Sequence, residues 1–169
     1  MSPWSRRPAS NEHAPGQADR VHVADPASFL DGCVHCLKPG GNLIISVPSA
    51  DSFVSMVINH ALNLPPHHVT WWPDRTLKSL EGLFPISLNT IFHEPLQSYH
   101  YQYYARTISV ALARVLVGAK ADAVVDLSAL QDEAERLADN LDKAAINVLT
   151  DYRLRPHGHT VLAVYQKLA

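Results

Sequence analysis

Apolar positions along the chain fall alternately into helical and extended periods. Phe29, Leu30, Cys33 and Leu37 recur at helical spacing, behind Asp25 as a good N-cap and Pro26 at a favoured first helical position. Pro39 stops that helix, and Gly40-Gly41 allow a tight reversal. Leu43-Ile44-Ile45-Ser46-Val47 follows as a near-continuous apolar run, the pattern of a strand buried on both faces. Asp51 or Ser52 then caps a helix with Val54, Val57, Ile58 and Ala61 as its stripe, ending near Leu62. The prolines of Leu64-Pro65-Pro66-His67-His68-Val69-Thr70-Trp71-Trp72-Pro73 make that stretch a loop. Residues 74–83 read as a short helix with Leu77, Leu80 and Leu83 inward. Residues 86–92 alternate as a strand, with Ile86, Leu88, Thr90 and Phe92 on one side, and His93-Glu94-Pro95 breaks it.

Two more helices and a strand complete the pattern. Residues 105–117 are rich in Ile, Val, Leu and Ala. Ser128 opens the next helix, with Gln131 completing a capping box and Leu130, Ala134, Leu137, Leu141 and Val148 as its apolar face. Residues 160–165 form a closing strand after a turn at Pro156-His157-Gly158. Residues 1–20 carry neither period and are expected to be a flexible leader, which leaves residues 21–169 as one α/β domain.

Length and charge narrow the classes. A chain of 169 residues that is 47% hydrophobic can bury one sizeable core. The formal net charge of −2 gives no electrostatic case for nucleic acid or an anionic membrane. The apolar runs fall short of the roughly 20 residues a membrane span needs. Two cysteines cannot staple a small secreted fold, so a reducing cytoplasm is expected. Cys33-Val34-His35-Cys36 sits late in its helix with no second pair, which favours small core residues over a redox or zinc motif. His93-Glu94 could act as an acid–base pair but follows a strand and precedes a proline, as solvated turn residues do. The tyrosines at 99, 101, 103 and 104 could shape a pocket or pack against helices.

The ordered set His22-Val23-Ala24-Asp25-Pro26, Leu37-Lys38-Pro39-Gly40-Gly41, Leu43 to Pro48, the His67-His68 loop and Gly158-His159-Thr160-Val161-Leu162 resembles the C-terminal half of class I S-adenosylmethionine-dependent methyltransferases. The resemblance implies a partial Rossmann-like sheet holding the family's strands five, six and seven with flanking helices, the seventh antiparallel and lying between the other two. It places His67, His68 and Trp71 on a substrate loop and His22 beside the cofactor pocket. The parent reaction is methyl transfer to a small-molecule, lipid or saccharide acceptor.

The family holds S-adenosylmethionine on a Gly-x-Gly-x-Gly loop with an acidic ribose ligand. None of the seven glycines here is arranged Gly-x-Gly. Strands one to four are also missing, since each βα unit needs roughly 30 residues. The expectation is therefore a truncated, methyltransferase-like chain, inactive alone and not binding S-adenosylmethionine alone. Strand five would be left as a raw edge, open to a complementary methyltransferase half or to self-association. The alternatives are one subunit of a split methyltransferase, and a non-catalytic interaction module using that edge and the helix of residues 128–149.

Overall fold

The computed structural model describes residues 23, 25–65, 67–68, 70–120 and 122–169, so the expected leader and His22 lie outside the described residues. The architecture is mixed α/β. Helix α1 (Pro26–Cys36) leads to strand β1 (Asn42–Pro48); α2 (Asp74–Ser79) leads to β2 (Ile86–Pro95). Helices α3 (Tyr101–Val117) and α4 (Ala129–Val148) precede β3 (His157–Lys167). The sheet order is β1-β3-β2, with the last strand in the middle and antiparallel to both neighbours. β1 and β2 are therefore parallel to each other.

The Asp25 side chain accepts the Ser28 N–H at 3.1 Å and so caps α1. At the turn after Pro39, Gly40 takes φ +76°, a left-handed conformation costly for any side chain. Its N–H donates to Lys167 O at 2.9 Å, and the Lys167 N–H donates to Gly41 O at 2.8 Å. The turn is thus sewn to the end of β3.

One face of the sheet carries the main core. Leu30 and Val34 of α1, Trp72, Leu77 of α2 and Leu80 pack on Leu43, Ile45, Val47, Ile86, Val161, Ala163 and Tyr165. The opposite face is only partly covered. β1 alternates strictly, and Ile44 stays 38% exposed. The expectation of a strand buried on both faces is thus corrected: the described helices α1 and α2 layer one side only.

Other departures have local causes. The helix expected from residue 52 to 62 is instead two short 3₁₀ turns, Phe53–Met56 and Ala61–Asn63. Between them Asn59 takes φ +57°, and its side chain donates to Asp126 O and accepts the Asp126 N–H. Those bonds hold the chain outside the helical basin. β2 runs on through His93-Glu94-Pro95 rather than breaking, because register shifts at Leu88/Thr90 and His93/Pro95 absorb the irregularity. The first shift also reverses the facing: Ile91 packs on the core and Phe92 is 56% exposed. Leu83, expected inward, is exposed. Cys33 is half-buried as a core residue would be, but Cys36 lies on the surface; both are free thiols.

α3 and α4 form an antiparallel hairpin joined through small residues, Val110 and Ala113 against Ala134 and Ala138. Leu130 and Val148, expected on the inner face of α4, are exposed. Ser128 accepts the Gln131 N–H, but the Gln131 side chain turns to Arg114 and Glu135 instead of closing a reciprocal box. Arg114 is buried and also donates to Asp126 at 2.8 Å. Its guanidinium, together with bonds from Ser128, holds the Asp126 carboxyl down at about 2, the Ser128 bonds being the larger cause. Among the described residues no helix is long and apolar enough to cross a membrane.

Candidate functional site

Ligands of open α/β sheets bind beyond the carboxyl ends of the parallel strands. Here that end is formed by Ser49 after β1, Glu94 late in β2 and the first residues of β3. Ser49 is fully buried; its N–H donates to His159 O at 2.8 Å, and it bridges to Trp72 in parallel register. Trp72 is itself held by a 3.0 Å bond from its indole N–H to Thr70 Oγ1. The loop of residues 64–73 is thereby anchored to the sheet at its far end.

Four histidines from three elements gather there. His93 of β2 and His157 of β3 lie with ring centroids 4.8 Å apart. His100, in the turn before α3, meets His159 of β3 edge-on at 4.7 Å. Each ring pair has one carboxylate against it. The His93 Nε2 is 3.1 Å from Asp74 Oδ2, and His159 Nδ1 is 3.7 Å from Glu94 Oε2. Asp74 is fixed in turn, its N–H donating to Asp51 Oδ2 at 2.7 Å.

Close approach of β3 to the end of β2 requires Gly158. A Cβ there would stand 3.1 Å from Glu94 Oε2 and 3.2 Å from both Glu94 O and Pro95 O. Asp74 Oδ1, Glu94 Oε2, His100 Nδ1 and His159 Nδ1 are all buried without a hydrogen-bond partner among the described residues. Buried polar atoms of this kind are uncommon in folded proteins. Burial pushes the His159 pKa below its ordinary value; His100 and then His68 push the same way, against an opposing pull from Glu94. Burial thus favours its neutral form, the one that accepts a proton. No group of three or more His, Cys, Asp or Glu among the described residues is arranged to hold a metal ion.

The residues expected on the loop separate. His68 is half-buried and within electrostatic reach of His159, whereas His67 is exposed. Trp71 packs at the edge of a second cluster, Phe53, Val54, Leu96 and Leu149. Tyr103 and Tyr104 meet Phe53 edge-on at 5.4 and 5.3 Å, and burial raises both hydroxyl pKa values. These two tyrosines pack; Tyr99 is exposed. His93-Glu94 is no solvated turn: both residues are half-buried and face partners. His100, His157 and His159 were not singled out by the sequence pattern. Only the abundance of histidine, ten in the chain, hinted at them.

No family model matches the chain, and no curated protein matches it.

Proposed function

We propose that these residues form the acceptor-side half of a class I S-adenosylmethionine-dependent methyltransferase. The observation that carries the reading is the strand order β1-β3-β2, with a late antiparallel strand between two parallel ones. It is the arrangement the family's strands five, seven and six take. The motif order along the sequence and a cluster of proton-accepting side chains at the ligand end of the sheet support the same reading. In it His159, backed by Glu94, takes the proton of an acceptor hydroxyl or amine as that group is positioned for attack. His68 borders the acceptor site.

The residues present do not fit the methyl donor. The glycine with φ +76° lies in the turn before β1, not between a strand's carboxyl end and a helix, where backbone N–H groups could approach a nucleotide. The donor is therefore assigned to a complementary unit carrying a Gly-x-Gly-x-Gly loop, whether joined to these residues or separate. It would add a strand to β1, which has no neighbour on its outer side among the described residues. It would also cover Ile44, Leu162, Val164 and Phe92 on the open face. The parent acceptor class is a small molecule, lipid or saccharide, and a cytoplasmic location fits the cysteine usage.

Isothermal titration tests the assignment. S-adenosylmethionine should give no micromolar binding to these 169 residues alone, and should bind once the complementary unit is present. Ile44→Lys on β1 should abolish that gain. Micromolar binding by the chain alone overturns the reading. A second reading, a non-catalytic interaction module, rests on the exposed apolar tip of the hairpin, where Val115, Leu116 and Leu127 face outward. A stable complex that covers the tip and binds no methyl donor would favour it.

A further inference from the structure

The histidine cluster has a property that does not depend on methyl transfer. Each ring pair sets two imidazoles against a single carboxylate: His93 and His157 with Asp74, His100 and His159 with Glu94. A first proton on either pair is balanced by its carboxylate. A second puts two like charges within one ring contact, at a place where His100 Nδ1 and His159 Nδ1 are sealed from solvent. The pairs also join separate elements. His157 and His159 belong to β3, His93 to β2, and His100 to the turn that starts α3. His68 adds a further imidazole near His159 from the loop.

The remaining charged or titratable groups facing the cluster are few. Asp51 stands behind Asp74 and accepts its N–H at 2.7 Å. Among the described residues the carboxylates within 4 Å of a ring nitrogen of either pair are Asp74 and Glu94.

We propose that the ring pairs His93–His157 and His100–His159 form a pH-operated latch on the ligand end of the sheet. Neutral, they hold the start of α3 and the end of β2 against β3. Doubly protonated, they repel, and that end opens while the sheet core stays closed. The histidine range, between about pH 5 and 8, is where such charge changes occur in cells.

Amide hydrogen exchange on the full chain tests this at about pH 7.5 and about pH 5.5, either side of the imidazole range, after correction for intrinsic rates. Protection in residues 98–104 should fall by about tenfold at the lower pH. Leu43 to Val47 and Val161 to Tyr165 should keep theirs. The double variant His100→Gln/His157→Gln, which leaves one carboxylate-paired ring in each pair, should keep only the smaller response that burial of His159 supplies. An undiminished response in the variant, an absent response in the native chain, or simultaneous loss in the core strands overturns the latch. Should the double variant not fold, ring titration of the native chain by NMR decides: coupled, two-step titration of each pair supports the latch, and independent single steps overturn it. S-adenosylmethionine titration separates this result from the function proposed above, because the latch needs no cofactor.

Discussion

Replacing Gly158 by alanine perturbs the fold and the candidate site through one methyl group. The added Cβ would stand 3.1 Å from Glu94 Oε2, 3.2 Å from Glu94 O and 3.2 Å from Pro95 O. A carbon and an oxygen at such distances repel, so a few tenths of an ångström must be recovered. The carboxylate can swing aside, but the two carbonyls belong to the backbone of β2 and move only with it. Overpacking of this kind costs about 1–3 kcal/mol. Alanine also restricts the unfolded chain, which returns roughly 0.4–1 kcal/mol. The backbone contacts decide the sign, and a net destabilisation of about 1 kcal/mol is expected from those two terms. The easiest relaxation carries Glu94 away from His159, now 3.7 Å apart. Since Glu94 is what raises the His159 pKa against burial, the variant should titrate lower at His159 than the native chain. Urea unfolding gives the first quantity and NMR titration of the His159 ring the second. A variant as stable as the native chain, with an unchanged His159 titration, would refute the close packing of β3 on the end of β2.

Tyr165→Phe removes the 2.8 Å bond from the buried hydroxyl to Leu77 O. That carbonyl also accepts the Leu80 N–H, so it is not orphaned, and chemical denaturation should show a loss of about 1 kcal/mol, the net worth of one neutral bond. Because His159 has a lowered pKa in the folded state, the unfolded chain binds the proton more readily. Its contribution to stability is therefore full above the ordinary imidazole range and is lost as pH falls from about 6.5 towards the folded value. Unfolding free energies measured across that range should show the loss shrink in His159→Gln. Arg106 donates to Asp139 at 2.7 Å and Asp142 at 3.2 Å and pairs with Glu135. Arg106→Ala should loosen α3 from α4 by about 1 kcal/mol in low salt and by less in high salt, as a partly exposed network does. An effect insensitive to salt would argue against an electrostatic tie.

Local signals in the sequence reached the elements but not their details. The Asp25-Pro26 cap, the Lys38-Pro39-Gly40-Gly41 stop, the apolar run from Leu43 to Val47 and the alternation from Ile86 put α1, β1 and the start of β2 where they are. Several of the misses trace to a competing bond or an inserted residue. Asn59 bonds a residue far along the chain, so the stripe around Val54 and Val57 never closes into a helix. The shift after Leu88 exchanges Ile91 for Phe92 on the core face, which no period can foresee. Gln131 reads as half of a capping box, yet a buried arginine on the facing helix claims its side chain. The candidate site was legible only at His68 and in the acid–base reading of the His93-Glu94 pair, while Trp71 packs in a separate cluster. His100 and His159 meet because β3 inserts between two earlier strands, and a pairing across 59 positions leaves no trace in local spacing.

That insertion also dictates an order of events during synthesis. Every rung of the sheet uses β3, from Asn42↔Gln166 at one end to Pro95↔His157 at the other. Among the described residues the two strands made earlier do not pair with each other. As the chain emerges, β1 and β2 wait with their apolar sides unmatched until β3 arrives, a long-range closure that slows folding and lengthens exposure to misassociation. A ribosome-bound intermediate ending before residue 157 should hold the α3–α4 hairpin and no sheet.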